Sequence, residues 1–165
     1  MKAVRKRRAV RAVILSPEDE VLPMELAFPE RPRSIWLTPG GGMEPGETAR
    51  EALRRELHEE IGTGRLPIGP EIWRRRHLFE VDGVATLQPE RYYLLRTERF
   101  APSASNMPDE LETEWFKSFR WWPLGELGEP DRVVAPRGLA GLLAARVRDA
   151  TPEPPLDITT QRLPR

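Results

Sequence analysis

The pattern of apolar and polar positions divides the chain into short strand-like segments and two helical segments. Ala9–Leu15 is rich in valine, and the three acidic residues at positions 18–20 predict a turn after a buried strand. Asp82 and Gly83 are typical of a tight hairpin turn. Further strands are predicted for residues 21–27, 34–37, 71–81, 85–96 and 115–122. Strands outnumber helices, which favours a sheet with helices packed against it.

The helices are predicted from capping signals and from periodicity. Glycine and proline punctuate residues 39–46, which are predicted to lack regular structure. Thr48 followed by Glu51 matches a capping box, so a helix is predicted to start there and to end at Gly62. A second helix is predicted for residues 138–148. The tail, residues 150–165, contains four prolines and shows no periodicity, so it is predicted to be mobile.

The composition restricts the kinds of site that the chain can hold. Its 165 residues leave room for one domain and include no cysteine and only two histidines. Any metal would therefore be held mainly by oxygen, which favours Mg²⁺, Mn²⁺ or Ca²⁺. The 26 basic and 26 acidic side chains cancel, so a nucleic-acid partner is not expected.

Basic residues are concentrated at the start of the chain, where positions 2, 5, 6, 7 and 8 are lysine or arginine. The flank of residues 1–8 is interpreted as a solvated segment, with phosphate or RNA binding as the alternative. The apolar run behind it is too short for a signal peptide, and no segment has the length of a transmembrane helix. The expectation is a cytoplasmic protein with no membrane partner.

Three glutamates in the first predicted helix form the main candidate site. Glu56, Glu59 and Glu60 are spaced so that they lie on one helix face. Like charges this close repel each other, and a divalent cation bound by their oxygens removes the conflict. Such a metal can neutralise phosphate and activate water, while a spare carboxylate takes the proton. Alone, however, the three glutamates also fit an ordinary solvated helix face.

The spacing of these and neighbouring residues resembles the Nudix box. That family pattern has glycine, glutamate, Arg-Glu-aliphatic, Glu-Glu and glycine at fixed intervals. The matching residues are Gly41, Glu47, Arg55, Glu56, Leu57, Glu59, Glu60 and Gly62. One position departs from the pattern, because Thr63 stands where the family has an aliphatic residue. Thr63 is expected to pack at the helix exit, away from any metal.

The resemblance implies an α/β fold, namely an α/β/α sandwich in which helices flank a mixed β-sheet. The Nudix domain would extend over residues 9–149, between the basic flank and the proline-rich tail. The implied activity is that of a Mg²⁺-dependent pyrophosphohydrolase, with Mn²⁺ as an alternative ion.

The resemblance also implies roles for individual residues. Glu56 and Glu60 would be the principal metal ligands, and Glu59 would be a further ligand or the general base. The carbonyl of Gly40 would complete the metal site. In some members the base comes from a later loop, for which Glu112 is the candidate here.

Four residues of the box are expected to support these groups. Arg55 and Glu47 would orient the carboxylates through ion pairs, so Arg55 belongs to the catalytic group without taking part in the chemistry. Gly41 and Gly62 would be structural.

The sequence says less about the substrate. Arg75 and Arg91 lie on the predicted hairpin, where a guanidinium could bind a second phosphate, although a solvated strand face is the alternative. Markers of the coenzyme A, NADH, ADP-ribose and dinucleoside polyphosphate subgroups are absent. The substrates left are a nucleoside triphosphate or a nucleoside diphosphate derivative, including an oxidised nucleotide.

Two other functions are weighed against hydrolysis. One is a nucleotide-sensing module without catalysis, which the complete set of box carboxylates disfavours. The other is an RNA-binding protein that uses the basic flank. A homodimer stays open.

Overall fold

The computed structural model describes residues 3–107, 114–148 and 154–160. The helices are α1 (Ala49–Ile61), α2 (Leu124–Leu127) and α3 (Leu139–Arg148). The strands are β1 (Arg5–Lys6), β2 (Ala9–Leu15), β3 (Glu20–Val21), β4 (Met24–Leu26), β5 (Ile35–Leu37), β6 (Gly40–Gly42), β7 (Glu71–Val81), β8 (Val84–Arg96), β9 (Phe116–Phe119), β10 (Trp122–Pro123), β11 (Val133–Ala135) and β12 (Leu156–Asp157).

A mixed sheet forms the centre of the molecule. Its strands follow the order β10-β3-β2-β8-β7-β12, with β6 beside β2 and β1 beside β8. β2 and β8 are parallel, whereas β7 and β8 form the predicted antiparallel hairpin. A smaller sheet has the order β11-β5-β4-β9.

Apolar side chains on both faces of the central sheet hold the helices in place. Along β2, Val10, Ala12 and Ile14 are buried in the same cluster as Leu53 and Leu57 of α1. Their neighbours alternate to the opposite face, where a second cluster contains Val13, Leu15, Leu139 and Leu143. The sheet is thus covered by α1 on one side and α3 on the other. This arrangement confirms the expected α/β/α sandwich.

The glycine-rich segment contains a strand, contrary to the prediction from its punctuation. β6 pairs antiparallel with β2, so that Gly40 lies beside Arg11 and Gly41 beside Val10. Gly40 has a φ of +140°, and a Cβ at this position would overlap the carbonyl oxygen of Val10. Without side chains the segment can come close enough to β2 to pair with it. The glycines therefore mark close packing rather than a free loop.

Two predicted strands are each divided where the chain passes between the sheets. Residues 21–27 supply β3 to the central sheet and β4 to the smaller one, with Pro23 between them. Residues 115–122 supply β9 to the smaller sheet and β10 to the central one. Residues 21–24 stay buried while the chain changes sheets, which hides the first crossing, whereas the second lies at the exposed residue Arg120.

Both ends of the described chain join the central sheet: the flank does so with residues 3–8 exposed, and part of the tail predicted to be mobile is paired. β1 pairs parallel with β8, although its two side chains are exposed. β12 pairs parallel with β7, and the amide of Ile158 donates to the carbonyl of Arg74 at 2.8 Å. The side chain of Ile158 is buried in the cluster that contains α3. Residues 154–160 are therefore docked.

Among the described residues, no helix is long and apolar enough to cross a membrane.

We expect Ile158→Ala to lower the free energy of unfolding by about 2 kcal/mol, because it removes buried apolar surface from the second cluster. Urea denaturation of the full chain measures the change. Thr160→Ala, at an exposed neighbouring position, is the control and should have little effect. Equal stability of both variants and the wild type would contradict the docked position of residues 154–160.

Candidate active site

Helix α1 is fixed at both ends, and these ends set the direction of its acidic face. The Thr48 hydroxyl accepts a hydrogen bond from the Glu51 amide, and the Glu51 carboxylate accepts one from the Thr48 amide at 2.8 Å. This is the predicted capping box. At the other end Gly62 has a φ of 85°, a left-handed conformation that favours glycine. The Ile61 carbonyl accepts from the Ser103 amide.

Glu56 and Glu60 lie at the boundary between α1 and β6, and Glu59 is on the same helix face. Ala52, Leu53 and Leu57 anchor the helix in the core, which leaves the acidic face partly enclosed. The Glu60 residue is 7% exposed, whereas 12% of the Glu56 side chain and 28% of the Glu59 side chain are accessible. Burial makes their mutual repulsion costly, so positive partners are needed close by.

Arg55 is the principal positive partner of this face. Its guanidinium binds both carboxylate oxygens of Glu47, at 2.6 and 3.0 Å. It also donates to Glu56 at 2.9 Å and, more weakly, to Glu59 at 3.5 Å. A further hydrogen bond of 3.0 Å reaches the carbonyl of Gly42. Arg55 thus joins the helix face to the glycine strand.

The pair formed by Arg55 and Glu47 keeps both groups charged. Hydrogen bonds from the Arg55 guanidinium and from the Glu44 amide lower the pKa of Glu47 to about 2. The Glu47 carboxylate in turn raises the pKa of Arg55. The guanidinium is therefore a permanent cation beside the acidic face.

Strand β6 receives two of the glutamates directly. A Cβ at Gly41 would lie 2.6 Å from Cδ of Glu56, so the carboxylate occupies the space of the missing side chain. The amide of Gly40 donates to Glu60 at 2.6 Å. The predicted ligands Glu56, Glu60 and Gly40 are therefore brought together, with Glu59 on the same helix face.

A buried network behind Gly40 was not predicted from the sequence. The carbonyl of Gly40 accepts from Nη1 of Arg11 at 3.0 Å, and Nε of Arg11 donates to Glu90 at 3.3 Å. Glu90 is a fully enclosed carboxylate on β8 whose side chain has 0% exposure. Arg75 donates to its other oxygen at 2.6 Å.

Two more donors complete the surroundings of Glu90. The Gln88 amide donates to it at 2.9 Å and the Tyr92 hydroxyl at 2.8 Å. Burial alone would favour the neutral acid, but Arg11 and Arg75 outweigh it and lower the pKa of Glu90 to about 2. Burial and the Glu90 charge raise the pKa of Tyr92, so its hydroxyl remains a donor. A lone acidic residue on the apolar face of a strand, two positions before Tyr92, was the available signal.

The structure separates the two arginines predicted to bind substrate. Arg75 lies opposite Glu90 in the hairpin, whereas Arg91 lies opposite Arg74. Directly opposed residues share a face and neighbours alternate, so Arg75 and Arg91 point to different faces. Arg91 donates to Glu71 at 2.7 Å. Arg75 alone of this pair is linked, through Glu90 and Arg11, to Gly40.

The remaining predicted base, Glu112, lies outside the described residues.

The oxygen atoms of the acidic face are chemically suited to bind a hard divalent cation. Within residues 3–107, 114–148 and 154–160, no three acidic or histidine side chains form a preassembled ligand group. The contacts explain this, because Arg55 draws Glu56 toward itself and the Gly40 amide holds Glu60. All of the available donors are nonetheless carboxylate or carbonyl oxygens next to β6, the type that Mg²⁺ and Mn²⁺ prefer.

The family model for the NUDIX domain matches residues 5–140. The chain therefore belongs to this family. The match confirms the resemblance seen in the box and the expected class, a Nudix-type pyrophosphohydrolase.

Relatives whose names state an activity agree with this class. The chain is 34% identical over 111 residues to nucleoside triphosphatase NudI from Salmonella newport. The aligned region covers 66% of this chain and 77% of that protein. It is 55% identical over 53 residues to the human 8-oxo-dGDP phosphatase NUDT18, covering 32% of this chain and 16% of that protein. The chain thus spans a small part of the human relative.

The fold is shared with solved structures. The solution structure of the E. coli ORF135 protein has a TM-score of 0.61 and 23% sequence identity, and the likeness covers 92% of this chain and 96% of that chain.

We expect Glu90→Gln to lower the free energy of unfolding by about 3 kcal/mol near neutral pH, because Arg11 and Arg75 would lose their counter-charge. The pKa of Glu90 is about 2 in the folded chain and ordinarily 4.5. Its stabilisation is therefore complete above the ordinary value and is lost as the pH falls through about 2. Urea denaturation of both proteins at a series of pH values should show the difference shrinking on acidification.

The control for this experiment is Glu98→Gln, at an exposed position. It should leave the pH dependence unchanged. A deficit of Glu90→Gln that stays constant down to pH 2 would contradict the ionised state assigned to Glu90.

We expect Gly41→Ala to displace the Glu56 carboxylate and to weaken Mn²⁺ binding by about tenfold or more, as other changes around metal ligands do. Gly41 is not among the glycines with a positive φ, so alanine fits its backbone. Electron paramagnetic resonance of Mn²⁺ measures the affinity. Gly125→Ala, where the new methyl group meets open space, is the matched control. Unchanged Mn²⁺ affinity of Gly41→Ala would contradict the role of Glu56 as a ligand.

Proposed function

We propose that the protein hydrolyses a diphosphate linkage in a nucleoside triphosphate or a nucleoside diphosphate derivative, with Mg²⁺ bound at the acidic face of α1. The observation that carries the proposal is the meeting of Glu56 and Glu60 with the backbone of Gly40 and Gly41. Two enclosed carboxylates held against a glycine strand, with Glu59 on the same helix face, suit a bound dication better than they suit solvent.

Glu56, Glu60 and the Gly40 carbonyl would hold the metal. When bound, the ion supplies neutralisation of the phosphate oxygens and activation of water. The Gly40 carbonyl has two lone pairs, so it can accept from Arg11 and still face a cation. Arg11, itself held by Glu90, fixes the direction of that carbonyl.

Glu59 is assigned as the group that takes a proton from the attacking water. It is the most accessible of the three glutamates on this helix face, and its contact with Arg55 is the longest that Arg55 makes on this face at 3.5 Å. It is thus less constrained than Glu56. Water adds to one phosphorus, the bridging oxygen leaves with the other phosphate group, and the proton passes to Glu59.

The substrate class is proposed from the relatives and from the hairpin. NudI is named for nucleoside triphosphates and NUDT18 for 8-oxo-dGDP. Beside the Glu90 network lies a cavity of about 700 Å³, whose lining includes Arg75 and Glu90 and also Arg91. This cavity has room for the nucleoside part of a nucleotide. An oxidised nucleotide belongs to the class proposed here.

A substrate panel tests the proposal. Nucleoside triphosphates, deoxynucleoside triphosphates, 8-oxo-dGDP and nucleoside diphosphate sugars are incubated with Mg²⁺, and the products are separated by ion-exchange chromatography. We expect at least one to yield a nucleoside monophosphate. Glu60→Gln should lower kcat/KM by about a hundredfold or more, because a carboxylate that holds the metal is lost. Glu98→Gln should match the wild type.

Two outcomes would count against the proposal. If no nucleotide is cleaved but one binds in a calorimetric titration, the protein is a sensing module. If Glu60→Gln retains full activity, Glu60 does not hold the metal.

A further inference from the structure

The basic flank approaches the candidate site at one residue, Arg7. The amide of Arg7 donates to the Leu87 carbonyl of β8 at 3.1 Å. The carbonyl of the next residue, Arg8, accepts from the amide of Met43 at 2.9 Å. Backbone contacts on both sides therefore fix the chain here between the hairpin and the end of the glycine strand.

The guanidinium of Arg7 lies directly on Gly42. A Cβ at Gly42 would be 2.6 Å from Nη2 and 2.9 Å from Cζ of Arg7. Gly42 is not among the glycines with a positive φ, so its backbone does not require glycine. What the missing side chain provides is room for Arg7. Gly41 provides the same kind of room for the Glu56 carboxylate, but on the opposite face of β6, because neighbouring strand positions alternate. Arg7 and Glu56 therefore flank the strand from its two faces.

Gly42 consequently has an arginine on each side. Arg55 donates to its carbonyl at 3.0 Å, while Arg7 covers its α-carbon. The two guanidinium groups differ in their ion pairs with carboxylates. Arg55 is engaged by Glu47, Glu56 and Glu59.

Arg7 differs from Arg55 in this respect. Within the ranges that the structure describes, its guanidinium forms no salt bridge and no side-chain hydrogen bond, and the residue is exposed. The other arginine near β6, Arg11, is engaged by Glu90 and by the Gly40 carbonyl. An exposed guanidinium beside a site for phosphate chemistry keeps all five donors available.

The charge of the substrate explains why such a donor is needed. A triphosphate or a terminal diphosphate group carries more negative charge than one divalent ion neutralises. The cations Arg55 and Arg11 are already balanced by carboxylates. Arg7 supplies an unbalanced positive charge at the same strand.

We propose that Arg7 binds a phosphate group of the substrate and is a substrate-binding residue of the site. The inference rests on the proposed function for its substrate class, but it concerns a contact that can be measured without turnover. It also gives the basic flank a specific role at one of its residues, since β1 and Gly42 together hold Arg7 at the site.

The test uses inorganic pyrophosphate as the probe, titrated calorimetrically into the full chain in the presence of Mg²⁺. We expect Arg7→Gln to weaken pyrophosphate binding by about tenfold, the effect of losing one charge-assisted contact. Arg8→Gln removes the same charge one residue away and should change the affinity by less than about twofold. Arg7→Lys keeps the charge but loses the bidentate fork, so an intermediate affinity is expected.

Two further measurements separate binding from folding and from the metal. Mn²⁺ affinity, followed by electron paramagnetic resonance, should be the same in Arg7→Gln and the wild type. If a substrate is cleaved, Arg7→Gln should raise KM more than it lowers kcat, because the contact is made before the reaction.

Several results would overturn the proposal. Equal weakening by Arg7→Gln and Arg8→Gln would show a general effect of positive charge instead of a site. Unchanged pyrophosphate affinity in Arg7→Gln would show that Arg7 makes no contact with the phosphate groups. If Arg7→Gln does not fold, wild-type pyrophosphate affinity of Arg7→Ala would likewise contradict it. Failure of the wild type to cleave any nucleotide would reject the proposed function but leave the pyrophosphate comparison decisive for Arg7.

Discussion

The hydrogen bond from the Gly40 amide to the Glu60 carboxylate joins the acidic face of α1 to the central sheet. It is short, at 2.6 Å, and it is buried. On its helix side are Glu56 and Arg55, and on its sheet side the Gly40 carbonyl leads to Arg11 and Glu90. The bond is available only because β6 lies flat against β2, which in turn requires glycine at position 40. Secondary structure, packing and the candidate chemistry thus meet at one peptide group.

Charge balance is the second constraint on the site. Each buried carboxylate near β6 has a cationic or amide donor within hydrogen-bonding distance. Arg55 serves Glu56 and Glu59 on the helix face, whereas Arg11 serves Glu90 and also attracts Glu60 electrostatically. The two arginines thus divide the charge of the site between them, and Glu90 has Arg75 as a further partner.

The sequence predicted those parts of the site that depend on local spacing. Glu56, Glu59 and Glu60 are neighbours on one helix, and the capping residues Thr48 and Gly62 fix that helix from within a few positions. The roles of these residues stay predictions until metal binding and turnover are measured. The sandwich fold followed from the same box through the family resemblance.

What the sequence did not predict depends on contacts between distant positions. Glu90 meets Arg11 across 79 positions, and strand pairing alone decides that they face each other. Arg75 and Arg91 looked equivalent as basic strand residues, but the register of the hairpin sends them to opposite faces. β6 and β12 were missed because glycine and proline content suggests loop wherever no partner strand is visible.

The docked tail has a consequence for how the molecule can associate. β7 would otherwise be an outer strand with unpaired backbone groups, a surface onto which another chain can add a strand. β12 occupies part of that edge, and the Arg76 amide is bound by the hydroxyl of Thr159 at 2.9 Å. The protein thus covers its own edge with a later part of its chain. Before a second chain could continue the sheet past β7, residues 154–160 would have to be displaced from that edge.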